Sequence, residues 1–408
     1  MKKKYNLYKR KIVKELCFGK TLSALDLSTK IEKSLPFTTK ILNELLTDEM
    51  IQESGLAHST GGRRPLMYSM IPGKMYAVSV AMDQFITRIG LIDVQNYQIL
   101  HSEKFNLTLP GNALAKDILI EHISSFISNL DISTDKIIGI GIGMPGFIDT
   151  AKGINHSFLQ MEDISESLQS YLTTALDLPV FLDNDSSLIA LTELKLGAVQ
   201  NIKNSMVINL GWGVGLGLII NGELFRGNNG FAGEFSHIPL FENNKLCSCG
   251  KSGCLGTEAS LLVVLAKARE ALAAGRVSAI KEIPEDIEEA SLNVFKAARA
   301  GDQLAVELLS DTAYNIGKGI AVLIHILNPE QIIISGRGAM AGNVLLPSIY
   351  QALNKYCIPS LAAYTEIMVS DFASQAELIG GAALIIENFD KQLFPQDLKV
   401  EVDLKKSF

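Results

Sequence analysis

His237, Cys247, Cys249 and Cys254 lie in one short stretch, GEFSHIPLFENNKLCSCGKSGCLGTEAS, which begins at Gly233. No other feature constrains the fold as tightly, because these four side chains carry metal-ligand chemistry at metal-ligand spacing. Three of the five cysteines fall within eight residues, and Gly250 and Gly253 let the backbone curl around a common centre. One imidazole and three thiolates fill the tetrahedral shell of zinc and leave no open position. The spacing therefore predicts a closed, structural zinc site and not a hydrolytic one. Zinc-finger recognition of DNA does not fit, since the cluster occurs once and no H-x₃₋₅-H half follows it.

Length and charge set the frame around this cluster. A chain of 408 residues is expected to hold two or three domains with substantial cores. It has no run of 18 apolar residues, and its N-terminus, MKKKYNLYKRKIVKEL, has no hydrophobic signal core. The expectation is a cytoplasmic protein without a membrane partner, consistent with clustered reduced cysteines. The net charge of −7 hides an asymmetry: residues 1–74 carry 14 Lys and Arg against 7 Asp and Glu, the rest 23 against 37. A polyanion would attract the first segment and repel the remainder.

The basic segment reads as a winged helix-turn-helix. Apolar periodicity predicts helices over Leu7–Phe18, with Ile12, Val13 and Leu16 inward, and Thr21–Lys33, with Leu25, Leu27 and Ile31 inward. A third, Pro36–Thr47, opens on a proline suited to the first turn and buries Ile41, Leu42, Leu45 and Leu46. Its other face is read as Thr38, Thr39, Lys40 and Asn43, side chains suited to base edges and phosphates in a major groove. A hairpin follows whose tip, Ser59-Thr60-Gly61-Gly62-Arg63-Arg64-Pro65, makes a wing in which Arg63 and Arg64 can reach phosphates or the minor groove. The boundary falls near Pro72-Gly73. Beyond it, strand patterns at Tyr76–Val80, Ile86–Ile92 and Ile137–Gly143 alternate with helical ones such as Lys116–Leu130, which indicates an α/β fold with mixed sheets.

Glu234-Phe235-Ser236-His237 followed by Cys-x-Cys-Gly-x-x-Gly-Cys resembles the motif of the ROK family, which groups sugar repressors with sugar kinases. The similarity continues through GIGIGMPGFID (Gly139 to Asp149), LDNDSSLIALTELKLGA (Leu182 to Ala198), GWGVGLGLIINGELFRGNNGFAGE (Gly211 to Glu234) and NPEQIIISGRGAMAG (Asn328 to Gly342). It implies a two-lobed, actin-like, hexokinase-type (ribonuclease H-like) body behind the winged helix-turn-helix. The implied domains are 1–72 for DNA binding, 73–184 for the first lobe (completed by about 376–408) and 185–375 for the second lobe with the zinc site. A long helical stretch, Ala259–Ile326, belongs to the second lobe, and a late helix near Ala376–Glu387 is expected to pack back on the first.

The resemblance also implies a sugar site. Asn184 would bond ring hydroxyls, and Asp185 holds the place of the general base of family kinases. Glu234 and His237 match further sugar contacts, with His237 holding zinc through one nitrogen and sugar through the other. Gly146 and Gly213 would let backbone approach the ring. Where the family usually has a glutamate two residues after the last cysteine, this chain has Gly256, and Glu258 is the nearest carboxylate. It is a candidate substitute contact or an ordinary carboxylate at a helix N-terminus.

Two departures bear on chemistry. The family's Asp-x-Gly-Gly-Thr-Lys phosphate loop is replaced by Val80-Ala81-Met82-Asp83-Gln84-Phe85-Ile86, and its Gly-Thr-Gly by Gly211-Trp212-Gly213. Phosphoryl transfer depends on positioning phosphate and metal, so no catalytic residue is expected and Asp185 would be a vestigial base. The sequence thus points to a regulator, a repressor of carbohydrate genes. Its expected partners are operator DNA, a sugar or sugar-phosphate effector, and other copies in a homodimer or tetramer. An ATP-dependent sugar kinase and a sugar sensor that does not bind DNA are the competing readings.

Overall fold

The computed structural model describes residues 2–57, 64–161 and 166–391. They fall into two compact units, one drawn from 2–144, 153–182 and 378–391, the other from 145–152 and 183–377. The basic segment 1–72 belongs to the same unit as 73–144.

The first unit opens with α1 (Lys2–Gly19), the two-residue β1 (Leu22–Ser23), α2 (Ala24–Lys30) and α3 (Leu35–Thr47), then β2 (Ile51–Leu56) and β3 (Leu66–Met70). Strands β1 and β2 flank β3, both antiparallel to it. Helix α2 starts later than the periodicity predicts because Ser23 and Asp26 form a capping box, each side chain bonding the other's backbone N–H. Ile12, Val13, Leu16, Leu27, Ile31, Ile41, Leu42 and Leu45 are buried as expected. Leu25 is not: it is 63 % exposed, since a residue two positions before Leu27 points to the opposite side of the helix. Leu46 is half-buried.

Next come β4 (Tyr76–Met82), β5 (Ile86–Asp93), β6 (Gln98–Asn106), α4 (Ala115–Ser128), β7 (Ile137–Met144), the short β8 (Ile148–Asp149) and β9 (Ile154–Asn155), α5 (Leu168–Leu176) and β10 (Val180–Asn184). The main sheet has the order β10-β7-β4-β5-β6, with β4, β5 and β6 an antiparallel meander and β7 parallel to β4. The late helix, α12 (Ala376–Glu387), lies on this sheet so closely that a Cβ on Gly381 would stand 2.0 Å from Ser79 Oγ, and one on Gly141 2.1 Å from the Gly381 carbonyl. Helix α1 is tied to the same body. Lys14 Nζ bonds the Glu387 carbonyl at 2.7 Å and Asp390 at 3.0 Å, and Phe18 stacks on Tyr97.

The second unit begins, after β8, with α6 (Asp185–Leu196), followed by β11 (Ser205–Leu210), β12 (Val214–Ile220) and β13 (Glu223–Phe225). The predicted long helical stretch is broken into α7 (Leu261–Ala273), α8 (Ile287–Arg299) and α9 (Gln303–Leu327). Then come β14 (Gln331–Ser335), α10 (Leu346–Tyr356), the one-turn α11 (Pro359–Ala362) and β15 (Glu366–Val369). Strand order is β13-β12-β11-β14-β15, with β11 to β13 an antiparallel meander and β14 parallel to β11. Both units therefore repeat one topology, a three-strand meander with later strands added beside its first member. This is the duplication expected of a hexokinase-type body.

Candidate functional site

The metal-ligand set assembles as its spacing predicts. Ligand atoms of His237, Cys247, Cys249 and Cys254 all lie within 4.8 Å of one another. Sulfur–zinc bonds of about 2.3 Å place two thiolates roughly 3.8 Å apart across a tetrahedral edge. Cys249 and Cys254 Sγ stand 3.7 Å apart, and Cys247 Sγ is 3.4 Å from His237 Nδ1. The donor set and its dimensions both fit zinc. Gly250 and Gly253, at φ of 81° and 79°, make the turn between the second and third thiols. Burial, then the neighbouring Cys249 and Cys247, pushes the Cys254 thiol up to about 12. Burial also opposes ionisation of Cys247, but hydrogen bonds from Cys249 and His237 bring it down to about 6. Three thiolates packed this tightly call for a cation to hold them ionised together. The other ring nitrogen of His237, Nε2, faces Glu234 Oε2 at 3.7 Å.

Glu258 fastens this loop. Its Oε1 accepts from Lys245 Nζ at 2.7 Å and Asn243 Nδ2 at 2.8 Å, and its carbonyl accepts from Asn315. The carboxylate is thus engaged by the segment leading into Cys247. At Gly256 a Cβ would meet that of Ser236 at 3.1 Å.

Asn184 and Asp185 stand where β10 turns into α6. Asn184 caps the helix, accepting from the N–H groups of Ser186 and Ser187, while its Nδ2 donates to the Gly146 carbonyl at 3.1 Å. Asp185 Oδ1 accepts from Ser186 N–H, and Oδ2 from Asn209 Nδ2 at 3.4 Å. Sequence reasoning missed Asn209, although it stands two residues before Gly211 in NLGWG. It also missed the pair behind the site. Asp183, 1 % exposed, receives both Arg226 Nε at 3.1 Å and Nη2 at 2.6 Å on Oδ2, and the Asn184 N–H on Oδ1. This pair ties the loop that leads to Glu234 to the end of β10, where Asn184 stands and Asp185 begins α6. A basic residue just after β13 and an acidic one before Asn184 were its only traces in the sequence.

Segments 80–86 and 211–213 make their contacts within the protein. After Ala81 the chain turns at Asp83, whose Oδ1 accepts the N–H groups of Phe85 and Ile86, each at 2.8 Å. These two backbone donors are thus satisfied by the chain's own carboxylate. Trp212 is 8 % exposed and does not project from its loop. The Arg337 guanidinium lies 5.0 Å from its ring centroid and pairs with Glu288 at 3.4 Å.

On α3, Lys40 and Asn43 are exposed and Thr39 is half-buried, all three lining a shallow groove with Lys9, Leu35 and Thr47. Thr38 is a correction. It is 0 % exposed, its hydroxyl bonded back to the Ser34 carbonyl at 3.2 Å, so it belongs to the core and not to a contact face. Arg64 is exposed; Arg63, Gly61 and Gly62 lie outside the described residues.

The ROK family model matches residues 80–388. A glucokinase of Halalkalibacterium halodurans is 35 % identical over 280 residues, covering 67 % of this chain and 84 % of its own length. The xylose repressor of Bacillus spizizenii is 27 % identical over 383 residues, 93 % of this chain and 94 % of the repressor. Among solved structures, a ROK family transcriptional regulator homologous to the Escherichia coli Mlc protein superposes with a TM-score of 0.75 at 26 % identity, covering 97 % of this chain and 99 % of that one.

Proposed function

This chain belongs to the ROK family, and from that membership we propose that it is a sugar-responsive transcriptional regulator, a repressor of carbohydrate uptake or catabolism genes. The observation that carries the reading is the extent of the matches. A similarity spanning 93 % of the chain needs most of the N-terminal helix-turn-helix, and the protein that matches so far is a repressor. The glucokinase match, at 67 %, is accommodated by the body alone.

In this reading α3 enters the major groove with Thr39, Lys40 and Asn43, and the β2–β3 hairpin acts as a wing through Arg63 and Arg64. The body holds one structural zinc per chain on His237, Cys247, Cys249 and Cys254. A sugar or sugar phosphate is held by Asn184, Asp185, Glu234 and His237, with Gly146 and Gly213 giving it room. Glu258, already committed to Lys245 and Asn243, supports the zinc loop. The chain works as a homodimer on a palindromic operator, and no helix among its described residues is long and apolar enough to cross a membrane. The effector shifts DNA affinity only as far as it prefers one state of the body, typically ~1–3 kcal/mol.

The chain has no kinase role in this reading, because the donors after Ala81 are consumed by Asp83 and Trp212 stands in place of a small hydroxyl. The 35 % identity to a glucokinase favours the alternative, an ATP-dependent sugar kinase, so one experiment addresses both. Full-length protein is bound to a duplex it has selected from a random pool, then given sugars with and without ATP and magnesium. Release of the duplex by sugar alone, with no sugar phosphate formed, is the expected result. Turnover at an ordinary kinase rate of ~1–100 per second overturns it.

A further inference from the structure

The loop between β13 and Glu234 is held at both ends. Its base is pinned by the Arg226–Asp183 pair, and Ala232 N–H bonds back to the Arg226 carbonyl at 3.1 Å. Near its tip Gly230 adopts φ of 92°, and a Cβ there would stand 2.4 Å from the Ile148 carbonyl. The loop is therefore pressed onto the turn that carries Gly146 to Asp149. This contact brings Phe231 against Phe147, with ring centroids 5.2 Å apart in an edge-to-face arrangement. Phe147 follows Gly146, whose carbonyl Asn184 holds, and yet it is 39 % exposed. A phenylalanine left half in water beside a polar cap is an apolar surface with something to cover.

Charge decides what kind of molecule covers it. Segments 145–152, 183–185 and 226–234 contain four carboxylates, Asp149, Asp183, Asp185 and Glu234, against two cations, Lys152 and Arg226. Both cations are matched within the protein, Arg226 by Asp183 and Lys152 by Asp149 at 2.9 Å. A zinc ion with three thiolates next to Glu234 would add a further net negative charge. A phosphate dianion would enter a field of its own sign. Neutral hydroxyls, in contrast, match carboxylate acceptors, and the C–H groups of a sugar ring match the electron-rich face of an aromatic ring.

We propose that the effector is a neutral sugar in its pyranose form and not a sugar phosphate, and that Phe147 and Phe231 form the aromatic surface against which its C–H face packs. This inference rests on the sugar-site reading above. The test is calorimetric titration of full-length protein with D-xylose, D-glucose, N-acetyl-D-glucosamine and the 6-phosphates of the last two. Phe147→Ala, Phe231→Leu and Asp185→Asn are run in parallel, with zinc content and melting temperature verifying the fold. Because Phe147 is half exposed, its truncation should cost the fold little. The expected result is that a neutral sugar binds, that phosphorylation does not tighten its binding, and that Phe147→Ala weakens it by roughly 2- to 10-fold. A 6-phosphate that binds more tightly than its parent overturns the proposal. So does a Phe147→Ala affinity equal to wild type while Asp185→Asn abolishes binding. If no sugar binds, or Asp185→Asn is without effect, the sugar-site reading itself fails and the proposal with it.

Discussion

Cys249 is exposed and Cys254 buried, yet their sulfurs stand 3.7 Å apart at one centre. The exposed member is the better probe, because its replacement disturbs the core least. Cys249→Ser should lower bound zinc from about one per chain toward zero and drop the melting temperature, since structural zinc contributes directly to folding. Metal analysis of protein purified without chelator reads this directly, and a zinc-free wild type would dispose of the site. A second residue-scale prediction concerns Glu193 on α6, a buried carboxyl. Burial raises its pKa, and bonds from Ser370, the Ala198 N–H and Ser335 offset only part of the shift. Its folded-state pKa lies above the unfolded value, so the folded protein holds this proton more tightly. The stabilisation is full below 4.5 and is lost as pH rises through the raised folded value. Denaturant titrations of wild type and Glu193→Gln should therefore diverge with pH, the difference moving against wild type as pH increases. A pH-independent difference would show that the carboxyl is not perturbed.

Among the elements, α3 shows best where sequence periodicity succeeds and where it slips. Ile41, Leu42 and Leu45 fix its buried face, and Thr38, three residues before Ile41 and seven before Leu45, lies on that same face. Its polarity concealed this, because a hydroxyl bonded to the preceding turn can be buried at little cost. Thr38→Val should accordingly leave DNA discrimination alone. Lys40→Ala and Asn43→Ala should weaken duplex binding without changing sugar affinity, and Arg64→Ala should lower the salt slope by about 0.9 if it meets a phosphate. Gel-shift titrations at several salt concentrations separate these outcomes; a strong loss from Thr38→Val with an unchanged Lys40→Ala would invert the assignment of faces. Elsewhere, long periodic segments such as β4, β5, β7 and α4 were legible to within two residues. The cluster of His237, Cys247, Cys249 and Cys254 was legible because its members are close in sequence. The Arg226–Asp183 pair was not, since 43 residues separate partners that meet only through folding. Asp83 was visible as a residue, but its role as the internal acceptor for Phe85 and Ile86 depends on a turn that composition does not disclose.

For the molecule as a whole, the charge asymmetry makes residues 1–74 attractive to a polyanion and leaves the rest of the chain acidic. DNA affinity should therefore fall steeply with salt while affinity for a neutral sugar stays nearly constant. Parallel titrations over a salt series check this, and a sugar affinity that tracks the DNA affinity would contradict it. The chain passes between its two units at 144/145, 152/153, 182/183 and 377/378, so neither unit is one continuous piece. That arrangement sets a schedule during synthesis. The surface of β4 and β7 around Ser79 and Gly141 receives its helix only when Gly381 has been made, some 302 residues after Ser79. At ~5–20 residues per second the ribosome needs roughly 15–60 s to cover that distance. For that interval an apolar sheet waits without its cover, and the nascent first unit is the stage at which chaperones have most to do.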